Sequence, residues 1–463
     1  MKTAAVILAA GQGTRMKSTL PKVLHLAAGR PLVAYPLQAA REMGCEPLVV
    51  VVGHQAGAVE SAVTARFPDA RLALQEKQSG TADAVRCAQQ AVGEADRVLI
   101  LYGDCPLLRA ETLKVLFDRV DAARAPLGML TAVVDDPTGY GRLVRGADGR
   151  PLRNVEHKDC SDAERAIREV NAGVYLVDRA FLFDALSRVT SNNAQRELYL
   201  PDVVELAAQR SEVVVVQVPA EEILGVNSRL ELAEVERVLQ DRLRKSAMLG
   251  GVTLRHPEST FLDADVSLSE DVTLGPGVQL RGKTRLGRGV RVEGPTILVD
   301  ATVEEGADIR AFSHVEGARV GRDAVVGPFA RLRPETVLEE QVHVGNFVEV
   351  KKATLRKGAK ANHLTYLGDA EVGEKSNVGA GTITCNYDGY GKYRTEIGAG
   401  VFVGSDSVLV APLKIGEGAY VAAGSVVTDE VPPGALAVGR ARQVVKPGRA
   451  EQLREKAKQK AGK

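Results

Sequence analysis

Aliphatic residues recur at every sixth position through the C-terminal half of the chain, between Val266 and about Val427. One aliphatic residue in every six is typical of a parallel β-helix, in which each unit is a short strand with a corner and three units form a coil. About 160 residues at about 18 per coil predict about nine coils and a prism about 43 Å long. The predicted inward ladder is Val266, Val272, Val278, Thr284, Val290; Ile297, Val303, Ile309, Val315; Val320, Val326, Leu332, Leu338, Val344, Val350; Leu355, Ala361, Leu367, Val372, Val378; and Ile397, Val403, Leu409, Ile415, Val421, Val427.

A β-sandwich is the main structural alternative for this half of the chain. It would require alternation with a period of two and hairpin turns, and neither is evident. Glycine often follows the ladder residue, as at Gly321 and Gly404, where the missing Cβ permits corner conformations that other residues avoid. The pattern therefore favours the β-helix.

The N-terminal half has a different pattern, in which short apolar runs alternate with stretches of helical periodicity. Residues 4–10 form an uninterrupted apolar run, as expected for a parallel strand that is buried on both faces. Further strands are predicted at residues 48–53, 71–75, 97–103 and 127–134, and helices at residues 36–43 and 81–92. The alternation predicts an α/β, doubly wound, Rossmann-like sheet that binds ligands at the carboxyl ends of its strands.

A linker helix is predicted over residues 228–251. Its apolar residues fall near helical spacing, and its acidic residues precede its basic ones, which matches the helix dipole. It has too few heptads for a coiled-coil dimeriser. The predicted organisation is an α/β domain at residues 1–227, the linker helix at 228–251, a left-handed parallel β-helix of hexapeptide repeats at 252–440, and a basic tail at 441–463. The tail is expected to be solvated and disordered.

Composition narrows the class of protein without indicating a nucleic-acid or membrane partner. The 463 residues are 45% hydrophobic and 26% charged, and the formal net charge is +1, as in globular proteins without a global charge bias. The low aromatic content, 4% with no Trp, suits a narrow β-helix core. Five scattered cysteines and no signal peptide favour reduced thiols in a cytoplasmic protein.

The first candidate site follows the strand at residues 4–10. The turn with Gly11 and Gly13 fails as a dinucleotide fingerprint because Met16 occupies the third glycine position. Backbone N–H groups of such a turn, with Arg15 and Lys22 behind it, suit a nucleoside triphosphate instead. Asp104 ends a buried strand, where a Mg²⁺ ligand or a helix cap is expected, and Asn227 is a candidate second oxygen ligand.

The second candidate site interrupts the regular hexads. Polar residues cluster around His363, and Lys351, Tyr366 and Asn377 belong to these clusters. Among such neighbours His363 is a candidate general base, although solvated coil faces are the alternative explanation. A longer insertion between Thr384 and Ile397 is expected to project as a loop, and Cys385 is disfavoured as a nucleophile.

The N-terminal half contains a series of short motifs in a fixed order. They are residues 8–16 with Pro21 and Lys22; Gln75, Gln78, Gly80 and Thr81; Tyr102, Gly103 and Asp104; and residues 138–142, 155–159, 171–173 and 225–227. With these motifs the N-terminal half resembles sugar-1-phosphate nucleotidyltransferases. With the β-helix behind it, nearly the whole chain is similar to the bacterial family of bifunctional N-acetylglucosamine-1-phosphate uridyltransferases and glucosamine-1-phosphate acetyltransferases. Pro201 departs from the expected Thr, which puts the closing contacts of its loop in doubt.

The resemblance implies roles for residues of the α/β domain. Arg15 and Lys22 are expected to neutralise the departing pyrophosphate of UTP, and Asp104 and Asn227 to hold Mg²⁺. The nucleotide and the N-acetylated sugar are expected to contact Leu8, Ala9, Ala10, Gly11, Lys22, Gln75, Gly80, Thr81, Tyr102, Gly103, Asp104, Gly141, Glu156, Asn171 and Asn227, of which Gln75, Gly80 and Thr81 read uracil and Gly141, Glu156 and Asn171 bind the sugar.

The resemblance also implies an acetyl-CoA-dependent site on the β-helix, with His363 as general base and Glu349 orienting its neighbours. Arg333, Lys351, Tyr366 and Asn377 are expected to bind the amino-sugar phosphate. The coenzyme is expected to contact Ala380, Asn386, Tyr387, Ser405, Ala423 and Arg440. A homotrimer with shared acetyl sites is expected, together with a product, UDP-N-acetylglucosamine, used in peptidoglycan and lipid A synthesis.

Two other functions fit the same two-domain layout. The first is a single-activity nucleotidyltransferase whose β-helix is structural or regulatory, against which the cluster around His363 counts. The second is a scaffold subunit without catalysis, against which Arg15, Lys22 and Asp104 count.

Overall fold

The computed structural model describes residues 1–462 and divides into two compact units, one ending at Leu243 and the other beginning at Arg244. The helix Arg229–Leu249 includes this boundary. No helix within residues 1–462 has both the length and the hydropathy needed to cross a membrane.

The first unit is built around a mixed sheet. The strands of this unit are β1 Thr3–Leu8, β2 Leu26–Ala27, β3 Arg30–Pro31, β4 Leu48–Val52, β5 Arg71–Leu74, β6 Arg97–Tyr102, β7 Leu127–Val133, β8 Arg142–Arg145, β9 Pro151–Val155, β10 Glu169–Asp178 and β11 Val213–Gln217. The strand order in the sheet is β11-β7-β10-β6-β1-β4-β5, and β8 and β9 extend it beside β10. Strand β10 is antiparallel to β6 and β7, whereas the pairs around β1 are parallel.

Helices cover both faces of this sheet, and the predicted doubly wound α/β class is confirmed. Residues Ala5 and Ile7 of β1 pack into one hydrophobic cluster, while Ala4, Val6 and Leu8 pack into the other. A strand covered on both sides must be apolar throughout, which explains the unbroken run in the sequence. The helices of residues 1–243 and the linker are Ala34–Glu42, Ala56–Arg66, Thr81–Cys87, Gln89–Val92, Ala110–Ala123, Asp162–Arg165, Arg179–Arg188, Asp202–Ala208 and Arg229–Leu249, with 3-10 turns at Thr14–Met16, Lys22–Leu24, His157–Asp159 and Ala220–Ile223.

The second unit is a left-handed parallel β-helix, as predicted. Its short strands form three parallel sheets, here called the first, second and third faces, and each strand pairs with the equivalent strand of the next coil. The first face comprises Thr253–Leu254, Thr273–Leu274, Arg291–Val292, Asp308–Ile309, Val325–Val326, His343–Asn346, Lys360–His363, Asn377–Val378, Phe402–Val403, Tyr420–Val421 and Leu436–Ala437. The second comprises Phe261–Leu262, Val278–Arg281, Thr296–Val299, His314–Glu316, Arg331–Leu332, Glu349–Lys351, Tyr366–Gly368, Ile383–Cys385, Val408–Val410 and Val426–Val427. The third comprises Ser267–Leu268, Arg285–Leu286, Thr302–Val303, Arg319–Val320, Val337–Leu338, Thr354–Leu355, Ala370–Val372, Thr395–Ile397 and Leu413–Ile415.

The predicted ladder is correct in period, and near its start it follows a second inward-facing column, in which Val272, Val278, Thr284 and Val290 are buried. From Val303 onward the predicted residues are the buried residues of their strands, but Ile297 is only half-buried and Leu298 takes its place. In the first coils the stacked column contains Leu274 and Leu280, two residues after the predicted positions. Residues i and i+2 of a strand share a face, so both columns point inward and both have the same period.

The strands extend beyond both ends of the predicted ladder, from Thr253–Leu254 to Leu436–Ala437, and they lie within the range of residues 252–440 that was predicted for the β-helix. In the tail, the prediction of disorder is wrong for Arg449–Lys460, which form an exposed helix. Ala, Gln, Glu, Lys and Arg, which make up most of this segment, have high helix propensity and need no packing partner to favour this conformation.

Candidate active sites

A cavity of about 410 Å³ opens at the carboxyl ends of β1 and β6, where Leu8 and Tyr102 are paired in register. Many of the residues predicted to contact the nucleotide line it, together with Val23, Gln78, Ala84 and Glu197, which had not been assigned a role. The lining residues are Leu8, Ala9, Ala10, Gly11, Lys22, Val23, Gln75, Gln78, Gly80, Thr81, Ala84, Tyr102, Asp104, Glu197 and Asn227.

Three polar side chains meet in this cavity. The Lys22 ammonium donates a hydrogen bond to the Asp104 carboxylate and a second one, of 3.1 Å, to Oδ1 of Asn227. The side chains of Lys22 and Asp104 are only 14% and 16% exposed. Asp104 and Asn227 therefore direct their oxygens at one cation although they are far apart in the sequence. An oxygen pair of this kind suits a hard divalent ion such as Mg²⁺, which completes its shell with water and phosphate oxygens.

The loop after β5 is ordered by its own hydrogen bonds. Nε2 of Gln75 donates to the Gly80 carbonyl at 3.1 Å and to the Asp83 carboxylate at 3.0 Å. Gly80 has φ +117°, and a Cβ there would lie 2.4 Å from the Leu198 carbonyl oxygen. The Thr81 hydroxyl accepts a 2.9 Å hydrogen bond from the Leu200 amide. The loop predicted to read the base is thus fixed against residues 198–200, which leaves no room for a side chain at Gly80.

The residues predicted to bind the sugar lie outside the lining of the cavity but beside Tyr102. The Tyr102 ring packs against Gly173, where a Cβ would lie 2.4 Å from Cε2. The Gly173 amide donates to Oδ1 of Asn171 at 2.9 Å, and the Asn171 amide donates to the Gly141 carbonyl at 2.9 Å. These contacts gather Gly141 and Asn171 near Tyr102.

Two other predicted residues are placed differently. The Gly103 amide donates to the Leu8 carbonyl at 2.9 Å, which joins the two strand ends. Arg15 lies in the turn Thr14–Met16, is exposed, and does not line the cavity. Its predicted contact with the departing pyrophosphate stays a prediction.

The Glu156 carboxyl group near this site has a pKa that its surroundings raise. Burial, followed by the Asp202 and Asp159 carboxylates, raises its pKa to about 7. Burial and the Glu205 carboxylate likewise raise the pKa of Asp202 to about 6. Glu156 therefore changes its charge near neutral pH, beside the predicted sugar site.

Glu156 gives a stability prediction with a definite sign. A carboxyl group whose pKa is raised by folding destabilises the folded state once the pH exceeds the unfolded pKa, and this cost grows until the folded pKa is passed. We expect Glu156→Gln to raise the melting temperature of the first unit more at pH 8 than at pH 5, by removing a cost of up to about 3 kcal/mol. Calorimetry at the two pH values measures the difference. Glu94→Gln, at an exposed position, is the control, and an equal gain at both pH values would contradict the assignment.

On the second unit, two columns of side chains lie on the second face. Glu349 is in register with Tyr366, and Lys351 is in register with Gly368. Leu332 is in register with Val350 of the next coil, so Arg333 and Lys351, which directly follow them, occupy equivalent positions. The Arg333 guanidinium donates a hydrogen bond of 2.9 Å to the Glu349 carboxylate. Arg333, Lys351, Glu349 and Tyr366 are thus gathered on one face.

Gly368 makes room for two polar groups on this face. A Cβ at Gly368 would lie 2.4 Å from the Tyr366 hydroxyl oxygen and 2.8 Å from Nδ2 of Asn386. The insertion adds Lys392, whose ammonium beside Lys351 lowers the pKa of the Lys351 side chain. Lys392 had no assigned role, because nothing in the sequence indicates that the loop folds back onto Lys351.

His363 begins a column at the corner between the first and second faces. Ala361, Val378, Val403 and Val421 are paired in successive coils, so the residues two positions later occupy the same corner. Those residues are His363, Ala380, Ser405 and Ala423. The column continues toward Arg440, whose Cδ lies 3.7 Å from the position of a Cβ on Gly424.

The backbone along this corner is available to a ligand. Within residues 1–462, the amides of Ala380, Ser405 and Ala423 donate no hydrogen bond to another backbone group. The His363 side chain is exposed at the start of the column. A row of N–H donors next to an imidazole suits a carbonyl substrate that is attacked by a nucleophile.

Asn377 does not join the other residues predicted to bind the sugar phosphate. It lies on the first face, in register with Lys360 and Phe402, whereas Tyr366 and Lys351 lie on the second. Tyr387 belongs to the insertion, where it is 60% exposed and forms a bridge with Lys392.

Comparison with known proteins agrees with this arrangement. Residues 5–199 match the family described as MobA-like NTP transferase domain, and residues 394–429 match the bacterial transferase hexapeptide family. The chain is 54% identical over 450 residues to the bifunctional protein GlmU of Anaeromyxobacter sp. (strain Fw109-5), covering 96% of this chain and 92% of that protein. Identity is 50% over 470 residues to the Sorangium cellulosum protein of that name, covering 99% and 98% of the two chains.

A more distant relative is similar over the same extent. The bifunctional protein GlmU of Pseudomonas entomophila (strain L48) is 47% identical over 440 residues, which cover 95% of this chain and 96% of that protein. The similarity thus spans both units rather than one of them. The chain belongs to the GlmU family of bifunctional transferases, in which a nucleotidyltransferase domain is joined to a hexapeptide acyltransferase domain.

Proposed function

We propose that the two units catalyse consecutive transfers. The β-helix transfers acetyl from acetyl-CoA to the amine of glucosamine-1-phosphate. The first unit then transfers uridylyl from UTP to the N-acetylated product, which gives UDP-N-acetylglucosamine and pyrophosphate. The assignment of uridylyl transfer to the first unit rests on the convergence of Lys22, Asp104 and Asn227 in the cavity. The assignment of acetyl transfer to the β-helix rests on the corner column that starts at His363.

In the uridylyl transfer, a phosphate oxygen of the sugar attacks the α-phosphorus of UTP, and the bond to the bridging oxygen of pyrophosphate breaks. The attacking phosphate is already an anion, so no strong base is needed, and positioning with charge neutralisation supplies most of the rate. Lys22 neutralises phosphate charge, and Gln75, Gly80 and Thr81 hold the base in the loop that residues 198–200 support.

Asp104 and Asn227 fit Mg²⁺, because their oxygens already converge on the Lys22 ammonium. Within residues 1–462 there is no cluster of three or more His, Cys, Asp or Glu that converges as a metal site. A site with two protein ligands suits Mg²⁺ bound with substrate phosphates. Held by Asp104 and Asn227, the ion would neutralise negative charge on the phosphate oxygens.

In the acetyl transfer, the amine of the sugar attacks the thioester carbonyl carbon while His363 removes a proton from the nitrogen. The C–N bond forms, the C–S bond breaks, and the sulfur of CoA leaves as a thiolate that takes up the proton held by His363. The Ala380 N–H is positioned for the oxyanion, and Arg333, Lys351 and Lys392 form a cationic site for the sugar phosphate. Asn386, Tyr387, Ser405, Ala423 and Arg440 bind the coenzyme.

The proposed active assembly is a homotrimer. Asn377 and Tyr366 lie on different faces of one chain, so a single copy does not present all of the predicted sugar ligands on one surface. In a trimer, the first face of one copy can complete the second face of its neighbour. Closed rings of this kind arise from one repeated heterologous interface.

A split assay on purified protein tests the two activities separately. Glucosamine-1-phosphate with acetyl-CoA and no UTP is expected to release free CoA thiol. N-acetylglucosamine-1-phosphate with UTP and Mg²⁺ is expected to release pyrophosphate. Pyrophosphate without any CoA thiol would reduce the β-helix to a structural or regulatory role and would overturn the assignment of His363.

A further inference from the structure

Asp369 occupies the corner between the second and third faces and contacts both ends of the insertion. Its carboxylate accepts a hydrogen bond from Nδ2 of Asn386, the residue at the start of the insertion. Its carbonyl accepts a 3.1 Å hydrogen bond from the Thr395 amide, where the insertion ends. Its amide donates to the Lys351 carbonyl at 3.1 Å in the preceding coil. One residue thus joins the coil that carries the cationic site to the loop that carries Asn386.

Further contacts of the insertion join its own residues to one another. The Tyr393 amide donates to the Asn386 carbonyl at 2.9 Å, and Tyr387 forms a bridge with Lys392. The side chain of Asn386 lies over Gly368, next to the Tyr366 hydroxyl. The position of the Asn386 amide, and with it the position of the loop, therefore depends on the Asp369 carboxylate.

We propose that Asp369 is a positioning residue for acetyl transfer, which orients the Asn386 amide toward the coenzyme and balances the cations that bind the sugar phosphate. This inference rests on the proposed acetyltransferase function. Asp369 itself contacts neither substrate and acts through Asn386 and Lys351.

The charge of Asp369 bears on the cationic site in addition to its hydrogen bonds. The charged groups that face Lys351 are Lys392, Arg333 and Asp369, and Arg333 is in turn paired with Glu349. Lys392 and Arg333 lower the pKa of Lys351, whereas Asp369 opposes them. Loss of the Asp369 charge is therefore expected to lower the pKa of Lys351 further, so that its ammonium is lost at a lower pH.

Two substitutions separate the hydrogen bond from the charge. Asp369→Gly removes both and tolerates the backbone at this position, where φ is +47°. Asp369→Asn keeps an oxygen acceptor for Asn386 and removes only the charge. Asp300→Gly is the matched control, because Asp300 lies at the same corner four coils earlier, also has φ +47°, and also accepts a backbone hydrogen bond, from Lys283 at 2.8 Å.

We expect Asp369→Gly to raise the KM for acetyl-CoA, and the Kd for CoA measured by calorimetry, about tenfold, since a hydrogen bond to a charged group is lost. Asp369→Asn is expected to keep both values within about twofold. Asp369→Asn is also expected to shift the pH profile of the KM for glucosamine-1-phosphate, so that this KM begins to rise at a lower pH than in the wild-type protein. Asp300→Gly is expected to change neither quantity.

The outcomes separate the inference from the function on which it rests. An unchanged Kd for CoA in Asp369→Gly, an equal rise in Asp300→Gly, or an unshifted pH profile in Asp369→Asn would overturn the positioning role while wild-type acetyl transfer persists. Absence of CoA thiol release by the wild-type protein would instead overturn the proposed function, and the inference with it. An unchanged thermal unfolding transition of each variant, followed by circular dichroism, establishes that the β-helix is folded.

Discussion

Replacement of Asp104 by Ala is expected to reduce uridylyl transfer by at least about a thousandfold and to leave acetyl transfer unchanged. Asp104 supplies the only carboxylate that contacts the Lys22 ammonium in residues 1–462, and it shares that cation with Asn227. Its loss removes a charged metal ligand and the partner that holds Lys22 in the cavity. Pyrophosphate release measures the first activity, and free CoA thiol measures the second.

A matched control uses an acidic residue of the same unit that is remote from the cavity. Asp118 is exposed and pairs with Lys114 on the helix Ala110–Ala123. Asp118→Ala is expected to retain both activities. Uridylyl transfer by Asp104→Ala at wild-type rate would remove the metal assignment, and loss of acetyl transfer in the folded variant would contradict two separate sites.

Replacement of His363 by Ala is expected to lower acetyl transfer by about a hundred- to ten-thousandfold and to leave uridylyl transfer unchanged. The imidazole is exposed at the start of the corner column, so its removal creates no cavity in the β-helix core. Without a base the amine must lose its proton to solvent as it attacks. CoA thiol release under saturating substrates measures the loss.

His314 provides the control for this substitution. It lies on the second face of an earlier coil and is partly exposed, with 3.9 Å between its Nε2 and a carboxylate oxygen of Glu316. His314→Ala is expected to leave both activities intact. Retained acetyl transfer in His363→Ala would show that another group is the base, with the neighbouring Tyr366 the first to examine.

The sequence predicted the β-helix well because its period is a local property. Each hexad contributes one strand, and coils stack only on their neighbours, so a repeated pattern determines the architecture. The period alone did not determine which residue of each hexad forms the stacked column, because Val272 and Leu274 are both buried and either fits the same period. Burial on both faces likewise made the strand at residues 4–10 recognisable without its partners.

Contacts between distant segments were beyond the reach of sequence patterns. The support of Gly80 by Leu198 and the approach of Lys392 to Lys351 depend on how loops fold back, which no local propensity encodes. Asn377 was grouped with Tyr366 because the family resemblance implies that both bind the sugar, yet a corner of the coil separates their faces. The tail helix was missed because its charge pattern suggested a solvated chain.

The most direct test of two independent active centres combines the two defective proteins. Asp104→Ala and His363→Ala are purified separately and supplied with glucosamine-1-phosphate, acetyl-CoA, UTP and Mg²⁺, alone and mixed. Each alone is expected to form UDP-N-acetylglucosamine at least about a hundredfold more slowly than the mixture, since in the mixture the acetylated sugar made by the first protein is consumed by the second. Product formation by either protein alone at the rate of the mixture, or none from the mixture while each retains its remaining half-reaction, would contradict this account.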